Sequence, residues 1–451
     1  MTAVELMPVA EAPGARNWGY DGVLPFAPSH TYGTPDDLKA FVVRAHECGL
    51  AVYLDVVYNH FGPEGNYLHA YAKAFYTDEF HTPWGAAIDV VDEDRGDVRR
   101  FFIENALYWI QEYRFDGLRL DAVHEIYDRP QRRFLRELAR TVHDRADHRV
   151  YLILENEANE ALLLETGYRA QWADDAHHAV HVAVAGQTDG YYADYADRTA
   201  WRIARTLAEG FGYQGEHSNL KGAARGEPSA HLELGSFVTF LQNHDQIGNR
   251  PFGDRIAAST SPAAVRAAIA LLLLAPTTPL IFMGEEWGAS TPFLFFCDFE
   301  PELARSVTEG RRNEFGAFAE FADPDARERI PDPASVATFE ASVLRWDERE
   351  REPHATWLAF YRRLLHLRRD EIVPRIEGLL GTDASYDTFG DRALRVRWQL
   401  ASGMLQVDAN LGAVPAGGFE VSPPGRTVYA THGGPYANGS APPWSVRWSL
   451  A

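Results

Sequence analysis

The sequence is poor in cysteine and in basic residues. Two cysteines in 451 residues, Cys48 and Cys297, cannot form the disulfide framework on which small secreted domains depend. Lysine and arginine together number 43 against 64 acidic residues, which gives a formal net charge of −21. This deficit excludes partners that are held by a basic surface, such as nucleic acid or an anionic membrane. It is compatible with a neutral substrate.

Long apolar runs are also missing. The longest, near residues 267–274, is far shorter than the roughly 20 residues that a membrane-spanning helix needs. The first residues do not show the basic segment and apolar segment of a secretory signal. Together with the scarcity of cysteine, these features favour a cytoplasmic location.

The stretch around which the chain is organised is residues 115–124, FDGLRLDAVH. In an extended strand alternate side chains face opposite sides, so Leu118 and Leu120 point one way and Arg119 and Asp121 the other. A guanidinium beside a carboxylate favours the ionised form of that carboxylate. An ionised aspartate where a strand ends suits a nucleophile, although an ordinary ion pair would give the same pattern.

Three other apolar runs also end in acidic, amide or histidine side chains. They are residues 52–60 (VYLDVVYNH), 151–157 (YLILENE) and 237–246 (FVTFLQNHDQ). The exposure of strand ends to water does not by itself explain why four strands end in acidic, amide or histidine side chains. Catalytic side chains at the carboxyl ends of several parallel strands are typical of a (β/α)8 barrel.

Helices alternate with these strands. Thr34 is suited to cap a helix that begins at Pro35, and Gly49 is suited to end it before the strand at 50–57. The same helix-then-strand order recurs at 97–114 and 115–121, at 130–146 and 149–155, and at 262–274 and 279–283. Such alternation predicts a parallel sheet with crossover helices.

The pattern changes near the C-terminus. After an amphipathic helix near 355–369, apolar and polar residues alternate from about residue 394 onward, which predicts an antiparallel β domain of sandwich type. We therefore predict two domains, a barrel over residues 1–374 and a β domain over residues 375–451. We interpret residues 61–96 and 186–230 as irregular inserts that form the walls of a substrate cleft, because loops of this length are usually functional.

The four strand-end stretches resemble the four signature regions of the alpha-amylase superfamily of glycoside hydrolases. Four further blocks are similar to the maltooligosyltrehalose trehalohydrolases. They are residues 16–22 (RNWGYDG), 172–178 (WADDAHH), 189–195 (DGYYADY) and 283–293 (MGEEWGASTPF). The resemblance implies a hydrolase that cleaves the α-1,4 bond next to a terminal trehalose unit and releases trehalose.

Two carboxyl groups in different protonation states are what retaining glycoside hydrolysis requires. Asp121, beside Arg119, suits the nucleophile, and Glu155, after an apolar run, suits the proton donor. The resemblance implies the same two roles and makes Asp245 the third catalytic carboxylate. It also implies that the substrate is bound by Tyr20, His60, Arg119 and His244.

No metal and no cofactor are expected. His177, His178 and His181 have the helical spacing of metal ligands, but no matching third-ligand motif lies near them. Bare spacing of this kind gives many false matches, so we interpret these histidines as structural.

Two other functions remain open. A glycogen branching-type transglycosylase would use the same Asp121 and Glu155, with a sugar hydroxyl in place of water as the acceptor. A glucan-binding relative without activity is the other alternative, although all three catalytic carboxylates are present.

The N-terminus departs from the family. Residues 2–7 match the second barrel strand of the resembled family, and candidates are found for strands two to eight but not for strand one. We expect either an N-terminally truncated form of a longer protein, which we favour, or a barrel with a gap. In both cases open strand edges would lower the solubility or activity of the chain as given.

Overall fold

The computed structural model describes residues 1–91, 96–128, 132–317, 321, 323–433 and 435–451. They form two compact units, each of which is described by itself. The first comprises Met1–Trp172, Phe295–Ala317 and Arg327–Phe339, and the second comprises Ala173–Leu294, Phe318–Ala326 and Glu340–Ala451.

The strands of the parallel and antiparallel sheets described below, and the helices of 11 or more residues, are numbered along the chain. The strands are β1 (Ala3–Leu6), β2 (Ala51–Val56), β3 (Gly117–Leu120), β4 (Tyr151–Leu154), β5 (Ala170–Trp172), β6 (Phe237–Phe240), β7 (Thr278–Leu280), β8 (Ala384–Thr388), β9 (Ala393–Leu400), β10 (Gly403–Asn410), β11 (Arg426–Ala430) and β12 (Ser445–Leu450). The helices are α1 (Pro35–Glu47), α2 (Gly96–Tyr113), α3 (Arg133–Arg145), α4 (Asp174–Ala185), α5 (Thr199–Glu209), α6 (Pro262–Leu274), α7 (Pro301–Glu314) and α8 (His354–Leu367).

Strands β1 to β5 of the first unit pair in parallel, in chain order. Their carboxyl ends therefore lie at one edge of the sheet, where Asp121 follows β3 and Glu155 follows β4. Helix α1 begins as predicted, with Pro35 at its first position and a reciprocal capping pair between Thr34 and Asp37. The predicted alternation of helices and parallel strands is confirmed here.

Apolar and polar side chains alternate along these strands. Val52, Leu54, Leu118, Leu120 and Leu152 are buried in a core that also contains α2 and α3. The side chains of Asp55 and Arg119 are in register with each other and lie on the opposite side of the sheet. The sheet thus carries buried charge on the side away from its apolar helices.

Gly117 is required by close packing on that polar side. A Cβ atom at this position would lie 2.2 Å from the Tyr151 carbonyl oxygen and 2.9 Å from Cδ1 of Tyr53. Real Cβ contacts are not that short, so a larger residue would push apart the strands on either side of β3.

In the second unit β6 and β7 pair in parallel, and β8 to β12 form an antiparallel sheet with the order β8-β9-β10-β12-β11. The rings of Trp398 and Trp448 stack with centroids 5.6 Å apart. The Trp448 Nε1–H donates to the carbonyl oxygen of Ala270 in α6. The predicted antiparallel C-terminal domain is confirmed, while its predicted boundary at 374/375 stays a prediction.

Both predicted inserts contain regular structure, so the interpretation of them as irregular was wrong. Residues Tyr76–Thr82 and Gly85–Ile88 form a hairpin in the first insert. In the second, α5 packs against β8 and β9. Its apolar residues recur at helical spacing and are buried: Ala200, Ile203, Ala204, Leu207 and Ala208. Much of the second insert is therefore a packing element.

A search of the described helices for a segment both long enough and apolar enough to span a bilayer finds none.

Candidate active site

Arg119 is the centre of the polar cluster in the first unit. Its Nη1 donates to Oδ2 of Asp55 at 2.7 Å and to Oδ1 of Asp121 at 2.8 Å, and its Nη2 lies 2.9 Å from Oε2 of Glu155. The guanidinium is fully buried and lies over the Trp172 ring, 4.2 Å from the ring centroid. The structure therefore joins the two predicted catalytic carboxyls through one cation.

Arg119 faces more carboxyl groups than its single charge can neutralise. Burial alone would lower the pKa of Arg119, but the negative charges of Asp55 and Glu155 raise that pKa well above its ordinary value. One permanent cation faces three carboxyl groups, and three carboxylates cannot all be neutralised by it. A proton held by one of the three is the natural relief of this repulsion, and a general acid needs such a proton.

The surroundings of Glu155 are more polar than its apolar strand suggested. Its Oε2 accepts a hydrogen bond from the Ala122 backbone N–H at 2.8 Å and also faces Arg119. The apolar run before Glu155 therefore does not give it apolar surroundings, because the loop after β3 turns a backbone donor toward this carboxyl.

Tyr20 and His60 lie against the same cluster. The Tyr20 hydroxyl donates to Oδ2 of Asp55 at 2.7 Å, and Nε2 of His60 lies 3.1 Å from the Tyr20 carbonyl oxygen. Burial lowers the pKa of His60 to about 4, so the imidazole is neutral near pH 7. Its Nε2–H donates to that carbonyl, which leaves Nδ1 as the acceptor.

Trp84 was not found by sequence reasoning. Its ring stacks on His60 with centroids 4.3 Å apart and planes 7° apart, and 52% of the side chain is exposed. It lies in the turn of the hairpin in the first insert, between Thr82 and Gly85. An exposed tryptophan in a turn was the only local signal for it.

Glu5 is a second group that sequence reasoning missed. It lies in β1, in register with Tyr53 of β2. Burial, and then the negative charge of Asp55, raise the pKa of Glu5 to about 8, with Arg119 opposing and Glu155 adding to the rise. The signal in the sequence was a lone acid inside the apolar strand Ala3–Leu6.

We expect the Glu5→Gln variant to lose less stability than the wild type as pH rises. An acid whose pKa is higher in the folded chain than the ordinary 4.5 contributes its full stability below 4.5 and loses it as pH rises to about 8. The measurement is the thermal midpoint at about pH 5 and about pH 9. Glu79→Gln, at an exposed position of the same unit, is the control. If the thermal midpoint falls equally between the two pH values in wild type and in Glu5→Gln, folding does not raise the pKa of Glu5.

His244 and Asp245 belong to the second unit and follow β6. The Asn243 side chain caps their short helix by accepting from the Gln246 N–H at 2.8 Å. His244 is buried, with Nε2 3.5 Å from Oδ2 of Asp245, and Asn249 Nδ2 lies 3.4 Å from Oδ1 of Asp245. Five of the seven predicted site residues thus lie in the first unit and two in the second.

The histidines with metal-like spacing make other contacts. Nδ1 of His177 lies 2.6 Å from the Leu241 carbonyl oxygen, and its Nε2 lies 3.2 Å from the Tyr192 hydroxyl. Nε2 of His181 lies 3.2 Å from Oε1 of Gln187. Among the residues that the structure describes, no group of three or more histidine, cysteine or acidic side chains is placed to bind a metal ion.

Residues 1–85 match the family described as alpha amylase, catalytic domain, and residues 381–448 match a domain of unknown function, DUF3459. The chain is 44% identical over 375 residues to a malto-oligosyltrehalose trehalohydrolase of Deinococcus radiodurans, covering 83% of this chain and 61% of that protein. It therefore spans less than two thirds of that relative. To the protein of the same description from Mycobacterium tuberculosis it is 38% identical over 428 residues, covering 91% of this chain and 71% of that protein.

A crystal structure of a candidate alpha amylase from Salmonella typhimurium has the same fold. The TM-score is 0.92 at 42% sequence identity, and the match covers 100% of this chain and 76% of that one. The predicted fold class, an α/β barrel of the alpha-amylase type with an antiparallel C-terminal domain, is confirmed.

Proposed function

Because the chain belongs to the malto-oligosyltrehalose trehalohydrolase family, we propose that it is a retaining glycoside hydrolase. It cleaves the α-1,4-glucosidic bond next to the terminal trehalose unit of maltooligosyltrehalose and releases trehalose. The observation that carries the chemistry is the pair of carboxyls, Asp121 and Glu155, which follow neighbouring parallel strands and face the same guanidinium.

The reaction has two displacements. In the first, the Glu155 carboxyl gives its proton to the glycosidic oxygen while an oxygen of Asp121 bonds to the anomeric carbon and trehalose leaves. In the second, the Glu155 carboxylate takes a proton from water, which attacks the same carbon and frees Asp121. Two inversions leave the new reducing end of the remaining chain in the α configuration. Asp245 stabilises the oxocarbenium-like transition state, and His244 binds a sugar hydroxyl.

Arg119 serves both steps. While Asp121 is ionised, the guanidinium donates to its Oδ1 and thereby orients the carboxylate for attack. When Glu155 has lost its proton, Nη2 is 2.9 Å from the new carboxylate and stabilises it without reorganisation. Arg119 thereby stabilises the negative charge on Asp121 before the attack and the negative charge on Glu155 after the proton transfer.

Tyr20, His60 and Trp84 form the proposed sugar-binding wall of the first unit. His60 donates its Nε2–H to the Tyr20 carbonyl oxygen and stacks under Trp84, so in this proposal it holds the other two residues of the wall in place. Trp84 offers a half-exposed aromatic face beside it. A flat apolar ring next to a neutral polar group suits a sugar, whose faces are apolar and whose edges carry hydroxyls.

Partners, domain organisation and location are part of the same proposal. The partners are maltooligosyltrehalose or another α-glucan, without nucleic acid or membrane, and no cofactor or metal is needed for the two displacements. The organisation is a barrel over 1–374 and a β domain over 375–451. The location is the cytoplasm, which agrees with two free cysteines, Cys48 and Cys297.

The test is incubation with maltooligosyltrehalose and, separately, with amylose, followed by chromatographic separation of the products. We expect trehalose and a shortened maltooligosaccharide from the first substrate and much slower cleavage of the second. Branched products from amylose would replace the proposal by a transglycosylase. Binding without turnover of either substrate would replace it by a glucan-binding protein.

A further inference from the structure

Two loops of the first unit carry the proposed catalytic acids. One begins at Asp121 after β3, and the other begins at Glu155 after β4. They are joined directly by two backbone N–H groups of the first loop. Ala122 N–H donates to Oε2 of Glu155 at 2.8 Å, and Val123 N–H donates to the Glu155 carbonyl oxygen at 3.0 Å. The position of the Glu155 carboxyl therefore depends on the path of the loop after β3.

The Arg132 side chain forms hydrogen bonds with both of these loops. The side chain is buried, with 2% exposed. Nη1 donates to the carbonyl oxygens of Val123 at 3.3 Å and Ile126 at 2.8 Å, both in the loop after β3. Nε and Nη2 form a fork on the two carboxylate oxygens of Glu160, which lies in the loop after β4.

Glu160 extends this connection to the residue that follows the proposed acid. Its Oε2 also accepts from Nδ2 of Asn156 at 3.1 Å. The Asn156 carbonyl oxygen accepts in turn from Nε2 of Gln171 in β5 at 3.0 Å. One partly buried ion pair thus connects the residues just after Asp121 to the residue just after Glu155, and anchors them to the sheet.

The backbone in these loops is strained where the connection is made. Ala122, Arg132 and Asn159 have φ values of 39°, 48° and 54°, in the left-handed region that residues other than glycine seldom adopt. Such residues persist only where their surroundings hold them. The left-handed turn at Ala122 lies between the two N–H groups that donate to Glu155, those of Ala122 and Val123.

We propose that Arg132 and Glu160 form a clamp of two positioning residues that holds the Glu155 carboxyl at its working distance from Asp121. Neither residue touches the reacting atoms. The inference rests on the proposed function for its kinetic consequence, because only that reaction requires the two carboxyls to act on one bond. Its structural consequence, ordered loops at 121–128 and 155–160, does not depend on the substrate.

Loosening of the clamp affects the chemical step more than binding. A displacement of about 1 Å at a reacting group lowers a rate by roughly 100-fold, while substrate contacts elsewhere in the cleft keep KM nearly constant. A lysine at position 132 keeps the charge but places a single ammonium where a planar fork is needed, so it does not replace arginine.

The test compares Arg132→Lys, Glu160→Gln and the double variant with wild type. Arg145→Met is the matched control, because Arg145 is at the other end of α3 and makes a half-exposed pair with Glu104. We expect kcat to fall roughly 10- to 100-fold in each single variant with KM within about threefold. The kcat of the double variant is expected to be little lower than that of the single variants, because the two residues act as a unit.

Hydrogen exchange provides the readout that is independent of substrate. Backbone amides of 121–128 and 155–160 are expected to exchange faster in Arg132→Lys and in Glu160→Gln, with the rest of the unit unchanged. The clamp is refuted by unchanged exchange in both variants, by faster exchange throughout the unit, or by an equal fall of kcat in the control. If wild type releases no trehalose, the proposed function fails, and the exchange measurement alone decides the clamp.

Discussion

Replacing Asp121 by asparagine, or Glu155 by glutamine, is expected to lower kcat by roughly 100- to 10,000-fold or more. Asparagine removes the nucleophilic oxygen anion that attacks the anomeric carbon. Glutamine removes the proton that the leaving trehalose needs and the base that later activates water. Each replacement is nearly isosteric, so the effect reports chemistry rather than volume.

The fold of both variants should survive. An amide oxygen at either position still accepts a hydrogen bond, from Arg119 at position 121 and from Ala122 N–H at position 155. Asp147→Asn is the control, because Asp147 is an exposed carboxylate of the same unit, paired with Arg114. The measurements are kcat on maltooligosyltrehalose, circular dichroism and thermal unfolding. Activity within a few-fold of wild type would remove that residue from its role.

Replacing Arg119 by methionine is expected to damage both stability and activity. Methionine has a similar length but leaves three carboxyl groups without their shared cation, two of them buried. Removal of one partner from a buried ion pair commonly lowers the free energy of unfolding by about 3–5 kcal/mol. Turnover should be nearly lost as well, because the same cation orients Asp121 and Glu155.

The loss of stability in Arg119→Met has a defined pH dependence. Without the cation, Asp55, Asp121 and Glu155 repel one another in the folded chain, which favours their protonated forms. Groups that bind protons more tightly when folded contribute stability at low pH and lose it as pH rises. The free energy of unfolding of the variant should therefore approach that of wild type in mildly acidic buffer. The difference between the two should be largest near neutral pH.

Urea unfolding of wild type and variant at two pH values measures this difference. The control is Arg145→Met, whose half-exposed ion pair should contribute no more than about 1 kcal/mol. A loss in Arg119→Met as small as in the control, or one that does not change with pH, would show that Arg119 is not the charge centre of the site.

Local signals explain why much of the fold could be predicted. Thr34, Pro35 and Gly49 mark the start and end of α1 within a few residues of sequence, and Ser261 with Pro262 marks the start of α6 in the same way. The parallel strands were visible because each is a short apolar run that ends in polar residues. These features depend on neighbours in the chain, which a sequence displays directly.

Helix α5 was missed because its start carries no such signal, although Gly210 follows its last residue. Its N-cap position is Arg198, in the left-handed conformation and without a capping side chain. Its helical spacing was present, but the glycines and aromatic residues around it favoured a loop. What stabilises α5 is packing against α4, and against β8 and β9, which lie nearly two hundred residues later in the chain.

Within the site, the residue types could be predicted but their contacts could not. Arg119 was expected beside Asp121, two residues away, and that contact is present. Its contacts with Asp55 and Glu155 depend on which strands are neighbours and in what register. The stacking of Trp84 on His60 and the position of Glu5 near Asp55 and Arg119 are likewise set by the three-dimensional fold.

The most direct test of the central claim is a proton NMR spectrum recorded within minutes of mixing the enzyme with maltooligosyltrehalose. The proposed mechanism requires the two carboxyls to be about 5–5.5 Å apart, the retaining separation. The spectrum should show the anomeric signal of free trehalose together with a new α-anomeric reducing end, before mutarotation brings in the β form. A reducing end that is first β, or cleavage without a trehalose signal, would contradict the account.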